Sequence, residues 1–419
     1  GPPGTGTDMM SSVFLWLLVW GGMFTSIDAV GSESFLRSGM GFLQGIRSLF
    51  PLAALFFCLL WILKERPAFP FRRNPLLFWY AYAAVGVLSS LFLSQEPLTA
   101  IYWAGNYLAP LMAAWFALER PDPWDAVRAL IYSNYAMFAL VAVSILPEAF
   151  RVGWGNLPRF RQYTLMFGLG QINVNGAGRY ALTIIIVLAV RFLLGRSRLR
   201  YLLIPAALPF LFLLTQTQSR TALLGLAVAS VLFVIMRGSD WRFLFVGPVA
   251  VAVVYISGFQ WRSHGSMDRL MSLTGREYTW RAGLELIKKS PFLGWGFQAD
   301  RIMMNSEHMH NSYLHAAIHT GVIGMLLFVA ALVSFWGMVA RSGILFRAKR
   351  FTGERRTLLF ESTMIAGFLT ARSFFESTAA FYGVDLLLFI PAIACVALAA
   401  WTAPGDESPR EEAAPACAS

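Results

Sequence analysis

Residues 308–339 read HMHNSYLHAAIHTGVIGMLLFVAALVSFWGMV. From Tyr313 to Val339 there is no Lys, Arg, Asp or Glu, and a helix needs about 20 apolar residues to cross roughly 30 Å of hydrocarbon. The stretch therefore reads as a membrane-spanning helix entered through a polar, histidine-rich segment. Four of the five histidines, His308, His310, His315 and His319, lie in it, the fifth being His264. Imidazole exchanges its proton near neutral pH, so proton-transfer chemistry is expected at this entry.

The rest of the 419-residue chain is of one kind with this stretch: 57% hydrophobic, 15% aromatic and only 14% charged, which lies outside the range of soluble domains. About twelve spans are expected, near Val13 to Val30, Ser48 to Leu63, Pro75 to Leu93, Leu98 to Leu118, Val127 to Leu146, Ala177 to Leu194, Tyr201 to Thr215, Thr221 to Met236, Phe243 to Gly258, Tyr313 to Val339, Thr357 to Ser377 and Phe381 to Trp401. The expected fold is thus an all-α polytopic membrane protein, with a helical loop between the ninth and tenth helices. Residues 1–9 look like a cloning remnant before a start at Met9 or Met10; without a cationic leader or cleavage site, the first span is expected to be retained. The organisation expected is 10–258 for nine spans, 259–312 for the large loop, 313–403 for three more, and a disordered tail over 404–419 rich in Pro, Glu and Ala.

Basic residues alternate between connections. Lys64, Arg66, Arg72 and Arg73, then Arg120 and Arg128, then Arg196, Arg198 and Arg200, then Arg237 and Arg242, then Arg341 to Arg356 mark one side, while Ser94 to Pro97 and Gln216 to Ser219 carry none. The positive-inside rule makes the first set cytoplasmic and puts both termini inside. The net charge of +11 mainly reflects that asymmetry, so no nucleic-acid partner is implied. Cys58, Cys395 and Cys417 form no disulfide framework. Two outer connections are long, Pro147 to Gly176 (with Arg151, Arg159 and Arg161) and Phe259 to Asn311. In the second, Arg276 to Lys289 has helical spacing and stops at Ser290-Pro291; it is expected to lie amphipathically, with Trp280, Leu284 and Ile287 on its apolar side. Gly294-Trp295-Gly296-Phe297 reads as a turn.

At the outer end of a helix, Arg220 sits with apolar sequence on both sides, where a cation is costly unless paired. Arg276 and Arg281 lie in the large loop on the same side, and His310 opens the following helix. A guanidinium fork matches phosphate oxygens, so arginines around one histidine suit a diphosphate leaving group beside a general base. Interface snorkelling is the bland reading of each arginine, and a helix-start imidazole bonded to a carbonyl that of His310. His315 and His319 are one turn apart, yet no His-Glu-x-x-His pattern, no cysteine on this face and no Asp-x-Asp triplet accompanies them, so no metal is expected. Asp28, Arg179, Arg372, Glu376 and Asp385 fall at the same helix ends, with Arg372 and Glu376 spaced as an internal pair. Asn173 and Asn175 precede a helix as cap candidates.

Taken together, Ser219-Arg220-Thr221-Ala222, Gly275-Arg276 with Trp280, Ser290-Pro291-Phe292-Leu293-Gly294-Trp295-Gly296, and His308-Met309-His310-Asn311-Ser312-Tyr313-Leu314 followed by Gly321-Val322-Ile323-Gly324 resemble the bacterial O-antigen ligase and polymerase superfamily. The resemblance implies a GT-C-like membrane glycosyltransferase at the periplasmic side of the inner membrane. It would need no metal or other cofactor, taking a glycan from an undecaprenyl-diphosphate donor and passing it to a hydroxyl. By the match, His310 would be the base, with Arg220 and Arg276 on the diphosphate and Arg281 a second candidate for the loop arginine. His308, Asn311, Tyr313, Asn175, Arg372 and Glu376 are possible supporting residues. Ligation of O-antigen to the lipid A core is the first choice among the jobs implied, with repeat-unit polymerisation and transfer to protein as alternatives; membrane lipids are the remaining partner.

One in-line displacement with inversion is expected. A double displacement would need a carboxylate nucleophile, for which Glu307 or Glu376 could be proposed without support from their spacing. A transporter of lipid-linked glycans is the rival from another class, since many helices with polar groups also suit alternating access. Ionisable residues gathered at one face, not at the midplane, argue against it.

Overall fold

A computed structural model of the chain describes residues 5–23, 45–67, 76–152, 162–164, 171–238, 276–304 and 307–402. Eleven long helices stand where eleven of the twelve expected spans fall: α1 (Thr5–Gly21), α2 (Phe50–Glu65), α3 (Leu77–Phe92), α4 (Pro97–Leu118), α5 (Pro123–Val152), α6 (Val174–Leu194), α7 (Leu203–Thr217), α8 (Arg220–Arg237), then α11 (Ser312–Ser342), α12 (Gly353–Arg372) and α13 (Val384–Trp401). Between α8 and α11 lie α9 (Arg276–Lys289) and the short α10 (Ala299–Met303). The ninth expected span, Phe243 to Gly258, lies outside the described residues, as do Asp28, Arg159, Arg161, His264, Cys417 and the tail. Among the described residues, seven helical segments are long and apolar enough to cross a membrane, and two shorter apolar helices accompany them. The chain is a multi-pass membrane protein.

The expectation of helices alone needs one amendment. Gln162–Thr164 and Gln171–Asn173 pair as antiparallel strands β1 and β2, with Tyr163 opposite Ile172. Three-residue strands carry too little alternation to be read from sequence. Their placement is fixed by Tyr163, buried, whose hydroxyl donates to Gln216 Oε1 at 3.0 Å. Helix α5 also runs past the expected boundary, so Pro147 lies inside it and does not open the loop.

Helix α13 is apolar all round and buried along nearly its whole length, which makes it the central pillar. It packs against α12, α5, α4 and α11. Because apolar side chains gain little by leaving lipid, helices here are tied by polar contacts. Buried Asn134 on α5 accepts from the indoles of Trp16 and Trp20 at 2.8 Å each and donates to the Leu387 carbonyl at 2.7 Å, joining α1, α5 and α13. At one end of the bundle Arg191 pairs with Glu361 at 2.8 Å and Arg128 with Glu354 at 2.9 Å. The opposite end carries the starts of α6, α8, α11 and α13.

Helix α11 is broken at Gly321, whose φ of 65° and ψ of −170° are not helical. The loop after α9 fills the break: Val322 N–H donates to Pro291 O at 2.7 Å, while Trp295 N–H and Gly296 N–H donate to Ile318 O and His319 O at 2.9 and 2.8 Å. Backbone groups freed inside a membrane bundle must be satisfied in some such way. A Cβ at Gly321 would stand 2.1 Å from the carbonyl of Phe292, and one at Gly294 (φ 69°) 2.5 Å from the Gly321 nitrogen. These glycines are the reason loop and broken helix can touch. Gly321→Ala should therefore cost on the order of 2 kcal/mol or more through clash and positive φ. A lowered thermal midpoint in detergent is the expected result, with a smaller drop for Gly343→Ala, whose Cβ would meet nothing within 4 Å and which carries only the positive-φ strain.

Candidate functional site

Helix α12 ends at Arg372, and the chain runs through Ser373–Gly383 before α13 begins. This connection is held from several sides. Tyr82 and Tyr107 donate their hydroxyls to Ala380 O at 2.6 Å and Ala379 O at 3.0 Å. Ser312, at the start of α11, donates its N–H to Ser373 O at 3.0 Å and accepts from Thr378 N–H at 2.7 Å. Asn311 caps α11, accepting from Tyr313 and Leu314 N–H at 3.0 Å, while its amide donates to Phe374 O at 3.0 Å; Tyr313 O–H lies 3.0 Å from Ser373 Oγ.

So placed, the Glu376 carboxylate becomes a meeting point of three elements. His310 Nδ1 lies 2.9 Å from Oε2, Arg276 Nη2 lies 3.0 Å from Oε1, and Asn175 Nδ2 donates to the same Oε1 at 3.0 Å. Arg276 also donates to the Phe375 carbonyl at 2.5 Å. Glu376 is 8% exposed and the His310 ring 34%, so the carboxylate is sheltered while the imidazole still reaches water. Burial alone would raise the Glu376 carboxyl; the His310 hydrogen bond and the charges of Arg372, His310 and Arg276 outweigh it and hold it down at about 2. An ionised carboxylate only accepts, so Nδ1 of His310 carries the proton shared with Glu376, and in the neutral ring that tautomer leaves the lone pair on Nε2. His310 itself has φ of 48°, an uncommon conformation held by the contacts on both sides of it.

A second network adjoins the first. Asp385, at the start of α13, pairs with Arg179 of α6 at 2.8 Å and with Arg372 at 3.2 Å. Arg372 also donates to Thr221 Oγ1 at 3.1 Å, and Thr221 Oγ1 is 3.1 Å from Ser219 Oγ, the N-cap of α8. Arg220 lies between those two residues with its side chain exposed. Arg372 O accepts from Glu376 N–H at 2.9 Å, so the Arg220 and His310 segments share one end of the bundle through three contiguous contacts. Among the described residues of these two networks, four guanidiniums (Arg179, Arg220, Arg276 and Arg372) accompany two carboxylates (Glu376 and Asp385), and the positive ends of α6, α8, α11 and α13 lie at the same end of the bundle.

Several expectations are corrected. Arg372 and Glu376 are not paired with each other in an ion pair, because α12 ends before Glu376 and the two side chains turn to Asp385 and to His310 and Arg276. Asn173 is the cap of α6, accepting from Gly176 N–H at 2.7 Å, whereas Asn175 reaches Glu376. Of the two loop arginines, Arg276 joins the site and Arg281 is exposed on α9. Leu284, placed on the apolar side of α9, is 44% exposed; Trp280, Ala282, Leu286 and Ile287 are the residues that pack on Met309, Ile318 and Ala299. Trp280 also donates its indole N–H to Met309 O at 2.7 Å.

One residue escaped sequence reasoning. Asp300, fully buried on α10, faces His308, His315 and His319 at 3.2–3.3 Å. Its only sequence signal is an acidic residue a few positions ahead of a histidine run, which is weak. Rings of His308 and His310 are 5.1 Å apart between centroids, so this cluster backs directly onto the Glu376 site.

Glu376 should contribute stability that is fully present above the ordinary carboxylate range and lost as pH falls toward about 2, because its folded value lies below its unfolded one. Melting in detergent from pH 6 down to about pH 2 is expected to show a steeper decline for the native chain than for Glu376→Gln; parallel curves would contradict the assignment.

Residues 183–329 match the family model described as O-antigen ligase. Over 150 residues the chain is 30% identical to the exopolysaccharide production protein ExoQ of Rhizobium meliloti, a match covering 30% of this chain and 34% of that relative's length. The matched segment contains α8, the α9 loop and the His310 entry to α11. Over that segment the chain is similar to the O-antigen ligase family and to this relative, of which it spans about a third of the length.

Proposed function

We propose that the chain joins a glycan from undecaprenyl diphosphate to a sugar hydroxyl of the lipid A core, acting as an O-antigen ligase at the periplasmic face of the bacterial inner membrane with both termini cytoplasmic. The observation that carries the reading is the His310–Glu376 contact of 2.9 Å. A carboxylate on Nδ1 fixes the tautomer and leaves Nε2 to accept a proton, the arrangement by which a buried acid orients a general base. The acceptor hydroxyl loses its proton to Nε2 as its oxygen attacks the anomeric carbon, and the bond to the diphosphate breaks on the opposite face of the ring. One displacement inverts that centre. Glu376 is taken up by three donors and so serves as anchor and not as nucleophile.

The leaving diphosphate needs cations. Arg220 is exposed at the positive start of α8, and Arg276 enters from the loop, so these two are assigned to it, with Arg281 farther out on α9. Arg372 and Arg179, both engaged by Asp385, hold the helix ends in register and add to the positive field. Asn175, Asn311 and Tyr313 keep the connection and the start of α11 in place. Polymerisation of repeat units is the second reading, favoured by the similarity to an exopolysaccharide production protein.

The test is reconstitution in liposomes with a lipid-diphosphate glycan and two acceptors, rough lipopolysaccharide and a second donor molecule. Consumption of the first supports ligation; consumption of the second transfers the assignment to polymerisation. Movement of glycan across the bilayer without any joining would overturn both in favour of transport. His310→Ala should slow joining by about 10²–10⁴-fold with the fold retained. Arg220→Lys should recover little of the activity lost in Arg220→Ala, since a lysine lacks the bidentate fork. Full activity in the lysine variant would contradict diphosphate clamping.

A further inference from the structure

We propose that Asp300, His308 and His315 bind a divalent transition-metal ion, zinc by preference, in a structural site behind the His310 base. The site is independent of the transferase reading and would stand or fall without it. Its residues come from three elements: Asp300 from α10, His308 from the loop before α11, and His315 from the first half of α11. Asp300 Oδ2 lies 3.3 Å from His308 Nδ1 and 3.3 Å from His315 Nδ1, and all three ligand atoms fall within 4.8 Å of one another. Zinc bonds of about 2.0–2.1 Å at the tetrahedral angle put neighbouring ligand atoms about 3.3 Å apart, the spacing of both Asp300–imidazole pairs.

Hydrogen bonding alone does not account for the arrangement. Asp300 Oδ2 has two imidazole nitrogens at the same distance, but only His308 is aligned as a donor. Among the described residues, neither ring nitrogen of His315 has a hydrogen-bond partner, and the ring is buried at 1% exposure. An orphaned buried imidazole costs free energy, and a shared cation removes that cost by taking the Nδ1 lone pair. His319 then supplies the outer support, its Nε2 donating to the second carboxylate oxygen of Asp300 at 3.2 Å. Phe381 stacks on His315 at 5.0 Å and Phe297 lies against His319 at 5.5 Å, so apolar rings flank the pocket. Imidazole and carboxylate donors without sulfur suit zinc or a neighbouring late divalent ion.

The consequence is mechanical. His308 is two residues from His310, which adopts a left-handed backbone conformation. A cation tying His308 to α10 and α11 would brace the loop that carries the base, while the diphosphate stays with the arginines.

The full chain purified in detergent, incubated with zinc chloride and desalted, is expected to retain about one zinc per chain by elemental mass spectrometry. Asp300→Asn and His315→Gln should each lose it. Because either variant could fail to fold, the native chain stripped and reloaded with cobalt(II) gives a second reading, the visible absorption of tetrahedral nitrogen and oxygen coordination. A native chain that keeps less than about a tenth of an equivalent of zinc and shows no such absorption overturns the site. Zinc retained unchanged by folded Asp300→Asn and His315→Gln does the same.

Discussion

One carboxylate organises this protein's polar end. Glu376 sits in the connection between α12 and α13 and is reached from α6 by Asn175, from α9 by Arg276 and from the start of α11 by His310. Three elements remote in sequence are thus referred to a single charge. A carboxylate so sheltered is costly unless each oxygen is matched, and both are. Remove that charge, and a guanidinium and an imidazole would be left close together with nothing between them. Glu376 therefore determines both where the His310 imidazole points and why the loop arginine turns inward.

The broken helix serves the same end of the molecule. A continuous α11 would carry its apolar face straight through the bundle, with no room for the loop after α9. The interruption at Gly321 lets Pro291 to Gly296 dock through backbone hydrogen bonds, and that docking sets the position from which α10 presents Asp300. Discontinuous helices whose ends line a polar site are a recurring device of membrane proteins. Here the break positions the side chains that surround the imidazole.

Much of this was legible in the residues. Long apolar runs placed eleven helices close to where they stand, because hydropathy over about 20 residues is a strong signal. The segment Arg276 to Lys289 was legible from its periodicity and from Ser290-Pro291. Arg220, Arg276 and His310 were singled out as cations and a base entering an apolar setting. What escaped were pairings decided by tertiary structure. Spacing alone suggested Arg372 with Glu376, but spacing presumes one helix, and α12 ends between them. Asp300 escaped because one acidic residue in a loop carries no pattern; its meaning comes from the fold that brings three imidazoles to it. The strands β1 and β2 were too short to register.

The central claim is that His310 and Glu376 act as one unit, and a double-mutant cycle on the rate of glycan joining tests it most directly. Rates for the native chain, His310→Ala, Glu376→Gln and the double variant would be compared at saturating donor. Residues that work through each other are non-additive, so the double variant should be no slower than His310→Ala alone. A double variant slowed by the product of the two single effects would show that the carboxylate acts without the imidazole, and would contradict the account.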